Sequence, residues 1–503
     1  MNPKRAEALL RNPHVASVDL EYDLQIEDEI GDTEIVSLPE AQTLPSGVDR
    51  VEADKSPIAK IDGIDERVNV QVAVLDTGVD ATHPDLYVNV PASANCTVDP
   101  CQTGVSTDGH SHGTHVAGTI AALDNVTGVV GVAPGAEIWS VQICSASGSC
   151  SMSAILAGLD YVAANSATVD VVNMSIGGVG WSAAYRQAVA TLHNRGMVVA
   201  VAAGNSSREI YGGDGAIGQG NEYQPAAFPE AMTISAMADT DGKPGGVGTS
   251  TSYGLDDTLA TFSNYSAAVV AGNPVTSPGA AIDVAEPGVS ILSTIPGGQY
   301  GRKSGTSMAS PHGAGLAALY IAGHGRPTDA AGAAAVRQAI INGAEPMADW
   351  RPDDADIASD RDANHEGMGR AEIGTAPPPP PPPPPVTKPI MRVTDIDATA
   401  ARWARSSSWS ALFYVTVTTL DDKPVAGALV TMQVRYGWTT KTISGTTSSS
   451  GRAVLWLQRI PASAKSVTGS VIGVSHDSYV YDPAQNRDPD GSSNGTTITV
   501  RRP

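Results

Sequence analysis

Ser304-Gly305-Thr306-Ser307-Met308-Ala309-Ser310-Pro311-His312 runs straight into the small-residue stretch Gly313-Ala314-Gly315-Leu316-Ala317-Ala318-Leu319. The apolar run after Ser307 predicts a buried helix with the serine in its first turn. Backbone N–H groups there have no intrahelical partner, and the helix dipole favours negative charge. Gly305 allows a sharp turn into the helix, and Pro311 suits a position near a helix start, where a missing donor costs little. A hydroxyl beside free N–H donors is what acyl transfer asks of a nucleophile and half an oxyanion hole. A serine so placed is ordinarily an N-cap and nothing more, so the chain must also supply a base and an orienting acid. Asp76 ends an apolar run, and Asp108-Gly109-His110-Ser111-His112-Gly113-Thr114-His115-Val116-Ala117-Gly118-Thr119 holds three histidines. His112 opens a small-residue helix that would present its ring. His115, beside Val116 and Ala117, reads as a satisfied core histidine, and His110 as a solvated loop residue.

These side chains need elements to carry them. Val68-Asn69-Val70-Gln71-Val72-Ala73-Val74-Leu75 predicts a strand buried on both faces and ending at Asp76. Further strands are predicted at 138–143, 169–174, 197–203 and 232–236, alternating with helices near 112–123, 152–166, 182–195 and 307–322. That alternation indicates an α/β fold, a parallel sheet flanked by helices, with reactive groups at the carboxyl ends of the strands. Residues 377–385 are all proline, a stiff extended spacer. Beyond it, alternating strands at 411–417, 428–434, 452–458, 466–474 and 496–500 predict an antiparallel, all-β sandwich domain.

Composition bounds the partners. The 503 residues allow two domains, and 53 acidic against 31 basic residues give a formal charge of −22. Such a surface repels nucleic acid and anionic membranes, and no apolar run of about 18 residues exists to span a bilayer. A monomer is the expectation. The four cysteines form two close pairs, Cys96 with Cys101 and Cys144 with Cys150, without histidines at zinc-ligand spacing. Two local disulfides that stiffen surface loops are expected, in an oxidising, extracellular compartment. Residues 1–7 carry no apolar signal-peptide core, so Met1 is expected not to be the natural start of a secreted protein.

Val72-Ala73-Val74-Leu75-Asp76-Thr77-Gly78-Val79-Asp80, His112-Gly113-Thr114-His115-Val116-Ala117-Gly118-Thr119 and Gly305-Thr306-Ser307-Met308-Ala309-Ser310-Pro311-His312 resemble the three signature blocks of the subtilisin-like serine proteases, the subtilases. The order Asp, His, Ser is the one known for subtilisin. The resemblance spans roughly residues 44–374. It implies Ser307 as nucleophile, His112 as general base and acid, Asp76 as the orienting carboxylate and Asn205, in Val201-Ala202-Ala203-Gly204-Asn205, as an oxyanion donor. It implies protein or peptide substrates, with a substrate strand laid along Ser175, Ile176, Gly177 and Gly178, Ala202, Ala203 and Gly204 walling the primary pocket, and Tyr223-Gln224-Pro225-Ala226 near its floor. It also implies structural calcium, held by the side chains of Asp85 and Asn125 and the carbonyls of Leu123, Thr127 and Val129.

Residues 1–40 resemble the remnant of a subtilase prosegment, with Ala8-Leu9-Leu10 to Val18-Asp19 as its end and Leu44-Pro45-Ser46-Gly47 as the mature start. The expected organisation is therefore prosegment remnant 1–40, peptidase 44–374, proline-rich linker 375–390 and immunoglobulin-like sandwich 391–503, with self-cleavage between about Ile35 and Leu44. Glu286 stands where the family usually has a small residue, and 240–257 and 269–281 read as inserted Gly/Ser-rich loops. Asp353, Asp354, Asp356, Asp360 and Asp362 read as a solvated acidic loop. Trp403, Trp409 and Trp438 are expected to be core residues of the sandwich, whose ligand is unknown. The expected function is a secreted endopeptidase; the alternative is a catalytically silent adhesin of the same fold.

Overall fold

The computed structural model describes residues 22–26, 31, 33–212, 218, 220–266, 282–353, 355–360, 365–371, 389–401, 408–437, 439–476, 478–491, 493 and 495–503. The stretch 8–19, most of the linker, the 269–281 insertion, Asp354, Asp362, Trp403 and Trp438 lie outside them. The chain divides into two compact units, 1–379 and 380–503.

The first unit is α/β. Gln71–Asp76 is a central strand, with Val72, Ala73, Val74 and Leu75 all fully buried. It runs parallel between Glu137–Gln142 and Val171–Met174, and the sheet continues through Val198–Ala202, Met232–Ala238 and Val284–Pro287. Continuous β-branched and aliphatic runs suit strands covered on both faces, because neither face meets water. The helices His112–Ala121 and Thr306–His324 are buried along nearly their whole length. Their small residues permit this: a Cβ on Gly315 would stand 2.5 Å from Val132 Cβ. Asp76, Ser175 and Asn205 all follow carboxyl ends of parallel strands, where such sheets place their crevice.

The 240–257 segment is held by its own carboxylates. Asp256 accepts from Thr240 N, Thr240 Oγ1 and Gly248 N, and Asp257 accepts from Gly246 N. Arg50, on the Ser46–Arg50 helix, reaches Asp257 and Asp239 at 3.0 Å and Glu345 at 2.6 Å, all in the interior. Asp353 pairs with Arg351.

Glu286 is fully buried, and neither carboxyl oxygen has a hydrogen-bond partner among the described residues. Burial pushes its carboxyl well above the ordinary value of 4.5. A carboxyl raised on folding supports the fold below its unfolded value and withdraws that support as pH rises toward its folded value, at about 1.4 kcal/mol per pH unit. Glu286→Gln, which keeps the shape and cannot ionise, should therefore melt with a flatter pH dependence than wild type above pH 5. Parallel melting curves from pH 5 to 9 would overturn this.

The second unit is a sandwich of two four-stranded sheets. One orders Arg452–Pro461, Ser408–Thr419, Ile390–Ala401 and Val480–Tyr481; the other Thr439–Thr446, Leu429–Tyr436, Ser466–Ser475 and Thr497–Arg501. Alternating residues such as Phe413, Val415 and Val417 meet Val430, Met432 and Val434 in one core. Trp409 belongs to that core, 1% exposed, with its Nε1 donating to Ala464 O.

Candidate active site

Asp76 ends its strand with the side chain fully buried. Its Oδ1 lies 2.7 Å from His112 Nδ1 and accepts from Thr77 N at 2.7 Å. A carboxylate only accepts, so this contact assigns the proton to Nδ1 and leaves the lone pair on Nε2. The ring is aimed from the first residue of the His112–Ala121 helix. Ser111, immediately before it, has φ +90°, a strained value for a residue with a Cβ. Asp108 pins that turn: its carboxylate accepts from Thr77 Oγ1, His110 N, Ser111 N, Thr114 N and Thr114 Oγ1. His115 is buried, with Nε2 2.9 Å from Ile291 O, and burial holds its pKa well below 6.5. His110 is half-buried rather than solvated, its ring edge-on to His112 with centroids 6.3 Å apart.

Gly305, at φ +150°, turns the chain into the Thr306–His324 helix, and Ser307 is the second residue of that helix. Pro311 therefore lies more than a turn inside the helix, deeper than the sequence suggested. Its missing N–H would have bonded the Ser307 carbonyl. That oxygen instead accepts from Ser175 Oγ at 3.0 Å. Ser175 Oγ accepts from Asn173 Nδ2, and Asn173 Oδ1 accepts from Ser310 Oγ. Sequence reading missed Asn173 and Ser310, because a polar residue inside an apolar strand declares its use only when its partner is known. Ser307 Oγ donates to Ser175 O at 3.2 Å, while His112 Nε2, fully buried, has no hydrogen-bond partner among the described residues. Asn205 Oδ1 accepts from Thr306 N and Thr306 Oγ1, both at 2.8 Å. That fixes the amide with Nδ2 on the Gly305 side, 3.0 Å from where a Cβ on Gly305 would stand.

A cleft is filled by the chain itself. Asp23–Ile26 lies antiparallel between Ile176–Val179 and Ser149–Ser151, pairing Gln25 with Gly177, Ile26 with Ile176 and Leu24 with Cys150. Leu24 and Ile26 are 2% and 5% exposed. A Cβ on Gly178 would stand 2.9 Å from Leu24 Cδ2, so the glycine lets the strand approach. The Ile176–Val179 strand carries the residues expected to line this edge; the opposite edge, Ser149–Ser151, gave no sign in the sequence. Tyr223–Gln224 extends the sheet beyond Val179 and Gly178, and Gly204, after Ala202 and Ala203, packs against the Tyr223 ring.

Asp85 gathers an oxygen-rich loop. It is 1% exposed and accepts from Asn125 Nδ2 at 3.0 Å and Val129 N at 2.9 Å. Gln42 Nε2, missed in the sequence 81 residues from Leu123, donates to Leu123 O and Val129 O at 2.7 and 3.1 Å. Thr127 closes a turn onto Asn125 Oδ1. With both amides turned to present oxygen in place of the donating nitrogen, the carboxylate, amides and carbonyls make a hard-oxygen set of the kind calcium takes. A Cβ on Gly128 would stand 2.3 Å from Asp85 Oδ2, so the glycine keeps this space open. Burial pushes the Asp85 carboxyl up to about 6. Asp239 with Asp241 and Asp256, and Asp395 with Asp488 and Asp490, are acidic groups that could also hold a metal ion.

Both disulfides are formed, Cys96–Cys101 and Cys144–Cys150. The second closes an exposed turn at Ala146-Ser147, although both its cysteines are fully buried.

Residues 67–369 match the family model described as the subtilase family. Subtilisin E of Bacillus subtilis (strain 168) is 37% identical over 330 residues, covering 66% of this chain and 71% of that protein. Subtilisin of Bacillus pumilus is 38% identical over 290 residues, 58% of this chain and 89% of that protein. M-protease of Shouchella clausii (strain KSM-K16) is 36% identical over 319 residues, 63% and 67%. With a family model over more than half its length and relatives at this identity, the chain belongs to the subtilase family and is a serine protease.

Proposed function

We propose that this chain is a secreted, calcium-stabilised endopeptidase that processes its own N-terminus and cuts extended polypeptides through Ser307, His112 and Asp76. The observation that carries the reading is the fully buried 2.7 Å contact between His112 Nδ1 and Asp76 Oδ1, which leaves Nε2 as a base with no hydrogen-bond partner among the described residues.

A carbonyl carbon entering beside Ser307 draws Oγ away from Ser175 O. The new C–O bond forms as the hydroxyl proton passes to His112 Nε2, and Asp76 balances the imidazolium. The carbonyl oxygen becomes an oxyanion facing Asn205 Nδ2 and the first-turn N–H of Ser307. Collapse breaks the C–N bond with the proton delivered to the leaving amine, and water repeats the sequence to release the acid. Calcium, when bound by Asp85, Asn125, Gln42 and the Leu123, Thr127 and Val129 carbonyls, would supply loop stability and take no part in the chemistry.

The self-processing reading rests on the strand in the cleft. Asp23–Ile26 enters as an extended substrate would, so the register favours a cut shortly after Ile26, upstream of the Ile35–Leu44 interval expected from sequence. N-terminal sequencing of purified protein tests it; active material that retains Met1 would contradict it. Asn205→Leu should lower kcat by about 10²–10³ with KM little changed, the scale established for the equivalent loss in a subtilisin. A change confined to KM would remove Asn205 from the oxyanion role.

A further inference from the structure

We propose that the Cys144–Cys150 disulfide is a positioning element for substrate, holding one wall of the cleft in pairing register so that the enzyme favours extended peptides over short acyl groups. The inference rests on Ser307 being the nucleophile of this cleft.

Among the described residues, the Ser149–Ser151 strand belongs to its sheet only through Asp23–Ile26, the strand lying in the cleft. When that strand leaves, and before substrate replaces it, Ser149–Ser151 has no described strand partner to keep it straight. Its anchors are local. Ser151 Oγ accepts from Ala154 N at the start of the Met152–Ala164 helix, and Gly148 N and Ser145 N close a tight turn with Ser145 O and Ser149 O. The remaining tie is covalent. Cys150 is the residue directly opposite Leu24, and its bridge leads to Cys144, whose N–H donates to Asp76 O at 3.1 Å. The wall that pairs with substrate is thus bolted to the backbone of the residue that orients His112. Both cysteines pack with Leu24 and Ile26 in one apolar cluster, so the bridge also forms part of the surface that those side chains cover.

An edge already in register binds an incoming strand without first being ordered, and ordering a few backbone residues at binding is costly. Substrates that reach the wall should feel this; those that stop at the Ser307 pocket should not.

The test replaces the bridge by Cys144→Ser/Cys150→Ser and, to keep the cluster apolar, by Cys144→Ala/Cys150→Val. Each is assayed on a peptide anilide with four residues on the acyl side and on a single-residue acyl ester. The expected result is a loss of about ten- to a hundredfold in kcat/KM on the long substrate, mostly in KM, with the ester and fluorophosphonate labelling of Ser307 little changed. Cys96→Ser/Cys101→Ser should leave the long-to-short ratio as in wild type. Equal losses on both substrates, no loss on either, or failure of both replacements to yield folded protein would overturn the proposal. If Ser307 is not the nucleophile, wild type itself shows no Ser307-dependent turnover of either substrate, which separates that failure from this one.

Discussion

Ser307→Ala should lower turnover by about 10⁶-fold, the scale known when a subtilisin loses its serine or histidine, and should leave the N-terminus uncut. The size follows from the geometry. The Asp76–His112 pair has a proton to accept only if Oγ supplies it, since His112 Nε2 has no hydrogen-bond partner among the described residues. Without Oγ, what remains is water attack assisted by Asn205 and substrate placement, a residual of about 10³-fold over solution. The same logic makes the losses non-additive. His112→Ala should cost nearly as much as Ser307→Ala, and the double variant little more than either, because the groups move one proton as a unit. Intact mass of the purified variants and kcat on a peptide anilide check both parts. A Ser307→Ala chain trimmed like wild type, or one retaining a tenth of the activity, would end the assignment of Ser307.

How much of this could be read from residues alone depended on the range of each interaction. Continuous apolar runs announced Gln71–Asp76 and Val198–Ala202, because a strand buried on both faces needs no partner-specific information. The helix opening at His112 and the small-residue helix through Ser307 were legible for the same reason. Pro311 was misplaced because its tolerance depends on Ser175, 132 residues from the carbonyl that it leaves unbonded. Gln42 was invisible because an isolated glutamine near a chain start has no pattern, and only folding brings it to Leu123 and Val129. Ser149–Ser151 was hidden by its length and by the cysteine at its centre, which reads as a bridge before it reads as a strand. Glu286 was legible as a departure from the family's usual small residue, yet its two oxygens without a hydrogen-bond partner among the described residues are a property of the packed core.

Removing calcium should matter most where Asp85 is ionised. Without an ion, burial raises its carboxyl from 3.8 to about 6. That protonation supports the ion-free fold below pH 4, and the support is lost as pH rises through 6, where a charge is left in the interior. A calcium ion reverses the preference: it holds the carboxylate form, so protons compete with it below pH 6. At calcium about a thousandfold above its Kd, mass action stabilises the fold by about 4 kcal/mol, or about 6 °C in Tm for a unit of this size. A chelator at pH 8 should therefore lower Tm by about that amount, and at pH 5 by much less. Asp85→Asn should melt at the same temperature with or without calcium, while its kcat at 25 °C stays near wild type, since Asp85 touches no group of the proposed triad. Thermal melts with and without chelator at the two pH values decide it. A Tm at pH 8 indifferent to chelator would remove calcium from the Asp85 loop, and a larger chelator effect at pH 5 than at pH 8 would reverse the role given to its carboxylate.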